Sequence, residues 1–476
     1  MIKTVSMKEY KPYLAGEFIT TDKVLEITNP YTGEVVATTW LAGKNEVEKA
    51  IETALTIQKE MAELPTYIRY KALMQIATEL RQRKQEMATI LAAEAGKPMR
   101  YAKGEIERAI QTFTVAAEES KRLPGEILSL DWTQPGHGKQ GVVKYFPIGV
   151  IAGISPFNFP MNLAVHKIAP AIASGNPIIL KPSTSTPLST LALAEIIDKT
   201  DLPKGSISIL PMDRISGNQL VIDDRIKLLS FTGSPVVGWK MKAQSGRKKV
   251  LLELGGNAGV IVTRTADIDH AVARCLVGGF AYSGQVCIHS QRIYVEESVY
   301  EEFSTKFVAG AKALKRGAPE EDETEISAMI DENNAKRVEG WVNEAVEEGA
   351  KLLCGGQREG SFYQATILSD THPRMKVCAL EVFGPVVTLE SVKSFESAVD
   401  EINNSEYGLQ AAVFTSSIYE MDYAHNHLEV GGVIINEVTT FRVDHMPYGG
   451  VKNSGLGREG VKYSIMEMME PRILVR

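Results

Sequence analysis

Between residues 148 and 254, short apolar runs alternate with stretches of helical spacing. The apolar runs predict strands at Ile148–Ile154, Pro177–Leu180, Ser206–Leu210, Lys227–Phe231 and Val250–Leu254. The stretches between them predict helices at about 161–173, 187–198, 214–221 and 235–244. Near-continuous apolar strands joined by helices are typical of a parallel sheet that is covered on both faces. Such a sheet binds its ligands at the carboxyl ends of its strands.

A similar alternation follows between residues 256 and 440 and predicts a second α/β domain. The predicted strands are Gly259–Val262, Ile293–Val295, Val386–Leu389, Ala411–Phe414 and Val433–Ile435. The predicted helices are Asp267–Tyr282 and Val299–Leu314.

The first 145 residues differ from these two segments. The turn signals in residues 1–50 predict short strands joined by turns. From about 44 to 120 the spacing is helical, with Leu73, Ile76, Ala77 and Leu80 on one apolar face. Strands at Glu126–Trp132 and Gly141–Tyr145, on either side of a Pro–Gly-rich turn, then predict a hairpin. This hairpin is either an arm or an ordinary surface hairpin.

Composition narrows the functional classes. The net charge is −7, from 52 basic and 59 acidic residues, which argues against a nucleic-acid partner. The four cysteines are scattered, so neither a zinc site nor a disulfide framework is expected. The N-terminus lacks an apolar signal core and no run is long enough for a membrane span, so we expect a cytoplasmic protein without a membrane partner. The acidic run 320–325 predicts a solvated loop.

Three of the predicted strand ends in the first domain carry candidate site residues. Asn158 lies between two aromatic residues and two prolines, and a fixed amide donor suits oxyanion stabilisation. Lys181 follows an apolar strand, where its ammonium could hold ribose hydroxyls or a phosphate. Gly233 and Ser234 lie between a strand and a helix, where backbone N–H groups can meet a pyrophosphate. The alternatives are a turn asparagine, a surface lysine and an ordinary strand-to-helix turn.

Two further residues have the chemistry of a nucleophile and a base. Cys287 lies in a glycine-containing turn beyond a predicted helix, and Glu253 ends an apolar run. Taken alone, a cysteine such as Cys287 is more often an inert buried thiol, and a glutamate such as Glu253 is more often a solvated carboxylate. The segment Gly455–Gly460 matches the pattern G-x-G-x-x-G, but no strand or βαβ unit surrounds it, so we predict a loop there.

The order of these segments resembles that of the aldehyde dehydrogenase superfamily over the whole chain. The matching motifs are Pro156–Pro160, Lys181–Ser183, Phe231–Ser234 with Gly238, Glu253–Gly256, Gly284–Cys287 and Glu381–Pro385. Phe157 stands where many members have tryptophan, and Ser283 where many have asparagine.

The resemblance implies two Rossmann-like α/β domains, one for the cofactor and one catalytic, and a small β-hairpin arm. The cofactor-binding domain would comprise residues 1–122 and 146–254, and the catalytic domain residues 255–445. Residues 123–145 and 446–476 would form the oligomerisation arm and C-terminal tail of a homodimer or homotetramer.

The resemblance also implies the residue roles. Cys287 would be the nucleophile, Glu253 the general base and Asn158 the oxyanion donor. The expected cofactor contacts come from Ile154, Ser155, Pro156, Phe157, Lys181, Ser183, Thr184, Gly233, Ser234, Gly238, Leu254, Glu381 and Phe383.

The expected reaction oxidises an aldehyde to the free acid with NADP or NAD. Relatives that prefer NAD often have glutamate three residues after the lysine, whereas this chain has Thr184, which favours NADP or dual use. The amino-acid sequences of the motifs most resemble those of lactaldehyde, non-phosphorylating glyceraldehyde-3-phosphate and phosphonoacetaldehyde dehydrogenases. The substrate is therefore expected to be a small polar or anionic aldehyde, and His289, Arg292 and Arg442 are candidates for its anionic group.

Two alternatives to this reaction are open at this point. One is a dehydrogenase that transfers the acyl group to coenzyme A, and the other is a non-enzymatic structural protein on the same fold. Relatives that acylate coenzyme A tend to lack the carboxylate that stands here as Glu253, so its presence favours a free acid.

Overall fold

A computed structural model describes residues 8–476 of the chain. Residues 1–7, which carry most of the N-terminal stretch used for the signal-sequence prediction, lie outside the described residues. The α-helices are α1 (Lys44–Glu63), α2 (Thr66–Gln82), α3 (Lys84–Ala95), α4 (Met99–Ser120), α5 (Pro160–Ser174), α6 (Leu188–Ile197), α7 (Arg214–Ile222), α8 (Pro235–Gln244), α9 (Ile268–Phe280), α10 (Glu297–Ala313), α11 (Glu332–Glu347), α12 (Lys376–Ala379), α13 (Phe395–Asn403), α14 (Ile418–His427) and α15 (Val461–Glu467).

The strands alternate strictly with these helices between residues 151 and 253 and less regularly beyond. They are β1 (Lys8–Glu9), β2 (Tyr13–Leu14), β3 (Glu17–Phe18), β4 (Val24–Thr28), β5 (Val35–Trp40), β6 (Gly125–Ser129), β7 (Gln140–Pro147), β8 (Ile151–Ile154), β9 (Ile178–Lys181), β10 (Ile207–Ile209), β11 (Leu228–Thr232), β12 (Lys249–Glu253), β13 (Gly259–Val262), β14 (Arg292–Glu296), β15 (Lys351–Cys354), β16 (Arg358–Glu359), β17 (Phe362–Tyr363), β18 (Thr366–Ser369), β19 (Val386–Val392), β20 (Tyr407–Gly408), β21 (Gln410–Phe414), β22 (Gly432–Ile435), β23 (Val451–Lys452), β24 (Gly455–Leu456) and β25 (Met469–Val475).

The first large sheet has the strand order β24-β12-β11-β8-β9-β10-β2-β3. Its five central strands are parallel, whereas β2, β3 and β24 run antiparallel at the two edges. Apolar clusters cover both faces, one with helices α2 to α6 and the other with α1 and α7. The chain leaves β8 in one direction through β9 and β10, and later returns on the other side through β11 and β12. Between β8 and β11 lies the switch point at which such sheets bind ligands.

The second large sheet has the order β15-β18-β19-β14-β13-β21-β22, and only β15 is antiparallel to its neighbour. Aromatic and branched side chains fill its two faces. The prediction of an α/β fold with two covered parallel sheets is confirmed.

A third sheet contains the predicted hairpin. β7 pairs antiparallel with β6 on one side and with the C-terminal strand β25 on the other. The rest of the tail does not belong to this sheet, because β24 pairs with β12 and α15 packs on α5. Among residues 8–476, no helix has the length and apolar content of a membrane span.

Candidate active site

The register of the first sheet brings the predicted strand ends together. Ile154 of β8 lies beside Lys181 of β9 and Phe231 of β11, and Thr232 lies beside Glu253 of β12. Since these strands are parallel, their carboxyl ends share one edge. Asn158 follows soon after the end of β8, so it lies near the same edge of the sheet.

Cys287 is presented by a tight turn after α9. A 3₁₀ turn covers Ala281–Gly284, and within it Tyr282 and Ser283 adopt positive φ angles of 50° and 53°. The Ser283 hydroxyl donates to the Ser327 carbonyl at 2.7 Å, and Gln285 Oε1 accepts from the Ile330 N–H at 2.9 Å. The polar side chains around the cysteine therefore hold the turn from behind and leave the thiol free to face the cavity.

The Cys287 thiol lies in an apolar environment. It is partly buried, and desolvation raises its pKa to about 11. Its Sγ atom lies 3.2 Å from the Tyr448 hydroxyl oxygen. Within residues 8–476 the Cys287 backbone N–H has no hydrogen-bond acceptor, so it is available to a ligand.

Asn158 is almost fully buried and is fixed at both ends. Its side-chain Nδ2 donates to the Gln285 carbonyl at 3.0 Å, which leaves the second N–H of the amide free. Its backbone carbonyl accepts from the buried Lys97 ammonium at 2.6 Å. The amide is thus tied to the turn that carries Cys287.

Glu253 is a buried carboxyl group without a counter-charge of its own. It is 5% exposed, and among the described residues Oε2 has no hydrogen-bond partner. Burial, and then the negative charge of Glu459, raise its pKa well above the usual value. A carboxylate in this position gains strongly from taking up a proton.

Two of the cations near Glu253 form ion pairs with Glu459 instead. Lys167 Nζ lies 3.2 Å from Glu459 Oε1, and Arg442 lies 3.1 Å from Glu459 Oε2. Burial works against ionisation of Glu459, but Lys167, His166 and Arg442 outweigh it and lower its pKa.

The carboxyl edge of the first sheet has the groups that a dinucleotide needs. The Ser155 hydroxyl is buried without a partner in residues 8–476. Burial lowers the pKa of Lys181 to about 8, and the charge of Arg214 adds to this effect. In the same part of the chain the only hydrogen bond of the Lys181 ammonium is to the Pro182 carbonyl, at 3.5 Å. An unpaired hydroxyl and a desolvated cation at a switch point fit a ligand with ribose hydroxyls and phosphates.

The remaining predicted cofactor residues surround this edge. Ser183 and Thr184 are half-buried after β9, and Ser234 is exposed at the N-terminus of α8. Gly238 is buried, and a Cβ there would lie 2.5 Å from Leu254 Cδ2, so its role in the structure is close packing of α8 on the end of β12.

A second group of side chains reaches this edge from the segment just before β19 of the second large sheet. Glu381 Oε1 accepts from the Gly256 N–H at 3.2 Å, and burial raises the pKa of Glu381 to about 7. The Phe383 ring meets the Phe157 ring edge-on, with 5.7 Å between centroids. Pro156 and Phe157 are half-buried beside them.

The other side of Cys287 opens into a cavity of about 720 Å³. Its apolar wall includes Phe159, Tyr282, Phe441 and Tyr448. Charged side chains reach the same wall, namely Arg100, Glu105, Glu107, Arg108, Arg274, Arg442 and Asp444, and the His445 imidazole lies there too. The segment around Arg442 therefore lines the cavity.

His289 and Arg292 do not reach this cavity. His289 is buried, its Nε2 is bonded to the Gly279 carbonyl at 2.8 Å, and burial lowers its pKa to about 4. The Arg292 guanidinium donates to the carbonyls of Asn257, Glu401 and Ile402. Both side chains form hydrogen bonds with backbone carbonyls in the core around the second large sheet. The expectation that they meet an anionic group therefore does not hold in this geometry.

Tyr448 is a site residue that the sequence reasoning missed. It lies 161 residues beyond Cys287, in the segment that was predicted as the C-terminal tail. The aromatic residue beside a glycine pair was the only local signal, and such pairs are common in turns.

Comparison with known proteins gives a consistent result. The profile of the "Aldehyde dehydrogenase family" matches residues 18–474. The chain belongs to the aldehyde dehydrogenase family. It is 42% identical to 3-sulfolactaldehyde dehydrogenase of Priestia aryabhattai over 476 residues, which cover 100% of this chain and 99% of that protein.

Two solved structures of the family superpose closely. Aldehyde dehydrogenase 21 from Physcomitrella patens, in complex with the reaction product succinate, has a TM-score of 0.98 and 46% identity, and the match covers 99% of both chains. Glyceraldehyde-3-phosphate dehydrogenase GapN from Methanocaldococcus jannaschii, complexed with NADP, has a TM-score of 0.91 and 39% identity, and the match covers 95% of this chain and 98% of that one. The prediction of an NAD(P)-dependent aldehyde dehydrogenase is confirmed, and a non-enzymatic structural protein is no longer an alternative.

Proposed function

We propose that this aldehyde dehydrogenase oxidises a small aldehyde with an anionic group to the free carboxylic acid, through a thioester on Cys287. The observation that carries the proposal is the placement of Cys287 between two spaces. One is the cavity with cationic side chains on its wall, and the other is the carboxyl edge of the first sheet.

The substrate class is supported by the cavity and by the relatives. Arg442 and Arg108 both line the wall that contains Cys287, where Arg442 pairs with Glu459 and Arg108 pairs with Asp444. A guanidinium has five N–H donors, so each arginine can bind a substrate anion in addition to its carboxylate partner. The relatives act on a sulfonated aldehyde and a phosphorylated aldehyde, and one structure holds the dicarboxylate succinate. A sulfonate, phosphate or carboxylate each suits a guanidinium.

The first chemical step is attack of the Cys287 thiolate on the aldehyde carbon, which forms a carbon–sulfur bond and an oxyanion. The free N–H of the Asn158 amide and the Cys287 backbone N–H are the donors for this oxygen. When bound, the nicotinamide group would accept a hydride, and this chemistry belongs to the cofactor itself. After oxidation Cys287 carries the acyl group as a thioester.

The second step is hydrolysis of this thioester. Glu253 takes a proton from water, the resulting hydroxide adds to the thioester carbon, and the Cys287 thiolate leaves. The raised pKa of Glu253 makes its carboxylate a stronger base than an exposed one.

Residues for the cofactor are proposed on the same grounds. Lys181 and Glu381 would hold ribose hydroxyls, Gly233 and Ser234 would admit a pyrophosphate at the start of α8, and Thr184 would tolerate a 2′-phosphate. Lys181 and the nearby Arg214 are cationic, so NADP or use of both cofactors is favoured.

One assay tests this function. The enzyme is incubated with NADP or NAD and with aldehydes that carry a carboxylate, a sulfonate, a phosphate or no charge, and reduced cofactor is followed. Coenzyme A is added in a parallel series. Turnover of an anionic aldehyde without coenzyme A supports the proposal. Turnover that requires coenzyme A would establish the acyl-transfer alternative, and preference for uncharged aldehydes would contradict the substrate class.

A further inference from the structure

Tyr448 is held rigidly against the Cys287 sulfur. Its ring is 3% exposed and packs with Val286, Ile288 and Leu409. The Arg442 guanidinium lies over the ring, 3.7 Å from its centroid. The backbone of Tyr448 exchanges two hydrogen bonds with that of Glu459, at 3.0 and 2.6 Å. A side chain fixed in this way has little freedom to turn its hydroxyl elsewhere.

The Tyr448 hydroxyl has one partner among residues 8–476, the Cys287 Sγ atom at 3.2 Å. When the cysteine is a neutral thiol, either group can donate. When it is a thiolate, only the phenol has a proton to donate. The contact is therefore stronger with the thiolate, because hydrogen bonds to ionised acceptors exceed neutral ones.

We propose that Tyr448 is a catalytic residue. Its hydroxyl donates a hydrogen bond to the Cys287 thiolate and so increases the fraction of Cys287 that is in the reactive thiolate form. This inference rests on the proposed role of Cys287 as nucleophile. Among residues 8–476, no other side chain has a hydrogen-bond donor within reach of the sulfur.

The charged groups that face the thiol set the background against which Tyr448 acts. Desolvation is the largest influence and raises the pKa of Cys287, and the carboxylates Glu381 and Glu253 raise it further. Tyr448 and Arg442 lower it. Since burial keeps the pKa of Tyr448 itself well above its ordinary value, the phenol retains its proton while the thiol ionises.

The test is the rate of alkylation of Cys287 by iodoacetamide as a function of pH, with the adduct located by mass spectrometry. Three proteins are compared: the unmodified enzyme, Tyr448→Phe and Tyr282→Phe. Tyr282 is a matched control, because it is a buried tyrosine of the same cavity wall whose hydroxyl donates to the Ala95 carbonyl at 3.0 Å instead of to sulfur. Phenylalanine keeps the ring of Tyr448 beneath Arg442, so the fold is retained.

We expect Tyr448→Phe to raise the apparent pKa of Cys287 by about one unit, which lowers the thiolate fraction about tenfold below that pKa. A thiolate of higher pKa is intrinsically more reactive, with a Brønsted slope of about 0.4–0.5. The net alkylation rate should therefore fall about threefold at pH values below the pKa. Tyr282→Phe should follow the unmodified enzyme at every pH.

Coincident profiles for Tyr448→Phe and the unmodified enzyme would overturn the inference, as would an equal shift in Tyr282→Phe. The alkylation assay needs no turnover, so its outcome is separate from the proposed function. Full turnover by Cys287→Ala would remove the cysteine from the reaction, yet it would leave the measured effect of Tyr448 on the thiol as it stands.

Discussion

At the scale of single residues, the division of charge between Glu253 and Glu459 decides what Glu253 can do. Lys167 and Arg442 pair with Glu459, and Glu253 remains without a direct ion pair in the described chain. A carboxylate with its own cation would have a low pKa and would be a weak base. The structure instead gives Glu253 a raised pKa by burial and by its acidic neighbour.

Thr184 is the residue at which the choice between NADP and NAD can be tested. Thr184→Glu places a carboxylate where a 2′-phosphate is proposed to lie. Two like charges a few ångströms apart repel by about 1 kcal/mol or more, which is roughly a fivefold change in a binding ratio. We expect the ratio of kcat/KM for NADP to that for NAD to fall at least about fivefold.

The matched control for this change is Thr184→Gln, which adds the same bulk without the charge. It should leave the cofactor ratio near that of the unmodified enzyme. Equal effects of the two substitutions would show that size, not charge, governs the site, and an unchanged ratio in Thr184→Glu would remove residue 184 from ribose recognition.

The sequence predicted candidate site residues where a local signal existed. Asn158, Lys181, Glu253 and Cys287 each follow or end a predicted element, and the structure places all four where those elements lead. Tyr448 has no such signal, because its contact with Cys287 joins two distant segments across the fold.

At the scale of elements, Gly238 controls how closely α8 approaches β12. Gly238→Ala would put a methyl group 2.5 Å from Cδ2 of Leu254, which is itself only 2% exposed. Overpacking of this kind costs about 1–3 kcal/mol. We expect a lower unfolding temperature and a several-fold higher Kd for NADP, because the displaced N-terminus of α8 is the proposed pyrophosphate site.

Gly340→Ala serves as the control, since a Cβ at Gly340 in α11 has nothing within 4 Å. Alanine in a helix interior is favoured over glycine by about 0.5–1 kcal/mol, so this variant should be as stable as the unmodified enzyme or more stable. A Kd for NADP that is unchanged in Gly238→Ala would disconnect α8 from the cofactor.

Periodicity located most elements to within a few residues, and the exceptions have physical causes. The helix predicted over Asp267–Tyr282 ends at Phe280, because Tyr282 takes a left-handed backbone conformation. Non-glycine residues adopt that conformation rarely, so sequence pattern does not predict it. The segment 446–468 was predicted only as part of a C-terminal tail, and its short strand β24 pairs with β12, a contact that depends on the finished sheet.

At the scale of the whole molecule, the small sheet of β6, β7 and β25 and the connection between β6 and β7 carry apolar side chains on their surface. Trp132 is 91% exposed, Ile127 72% and Leu474 60%. Exposed apolar residues grouped on one small sheet are typical of a protein interface. We propose that this sheet joins copies of the chain into a homodimer or homotetramer.

Leu474→Asp tests this assembly. A buried unpaired carboxylate in an interface costs several kcal/mol, so light scattering should show a smaller particle than that of the unmodified enzyme. Ile418→Asp, at a 75% exposed position on α14, should leave the particle mass unchanged. An undiminished mass in Leu474→Asp would place the interface elsewhere.

The central claim of the account is that oxidation leaves an acyl group on Cys287 and that Glu253 is needed to remove it. The most direct measurement is the time course of reduced cofactor and of protein mass for Glu253→Gln, with a substrate identified in the aldehyde assay. The amide keeps the shape of the carboxyl but cannot take a proton from water. The account predicts a burst of about one reduced cofactor per active site, a slow phase after it, and an acyl adduct on Cys287 that Cys287→Ala lacks. Steady turnover at the rate of the unmodified enzyme, or the absence of both burst and adduct, would contradict it.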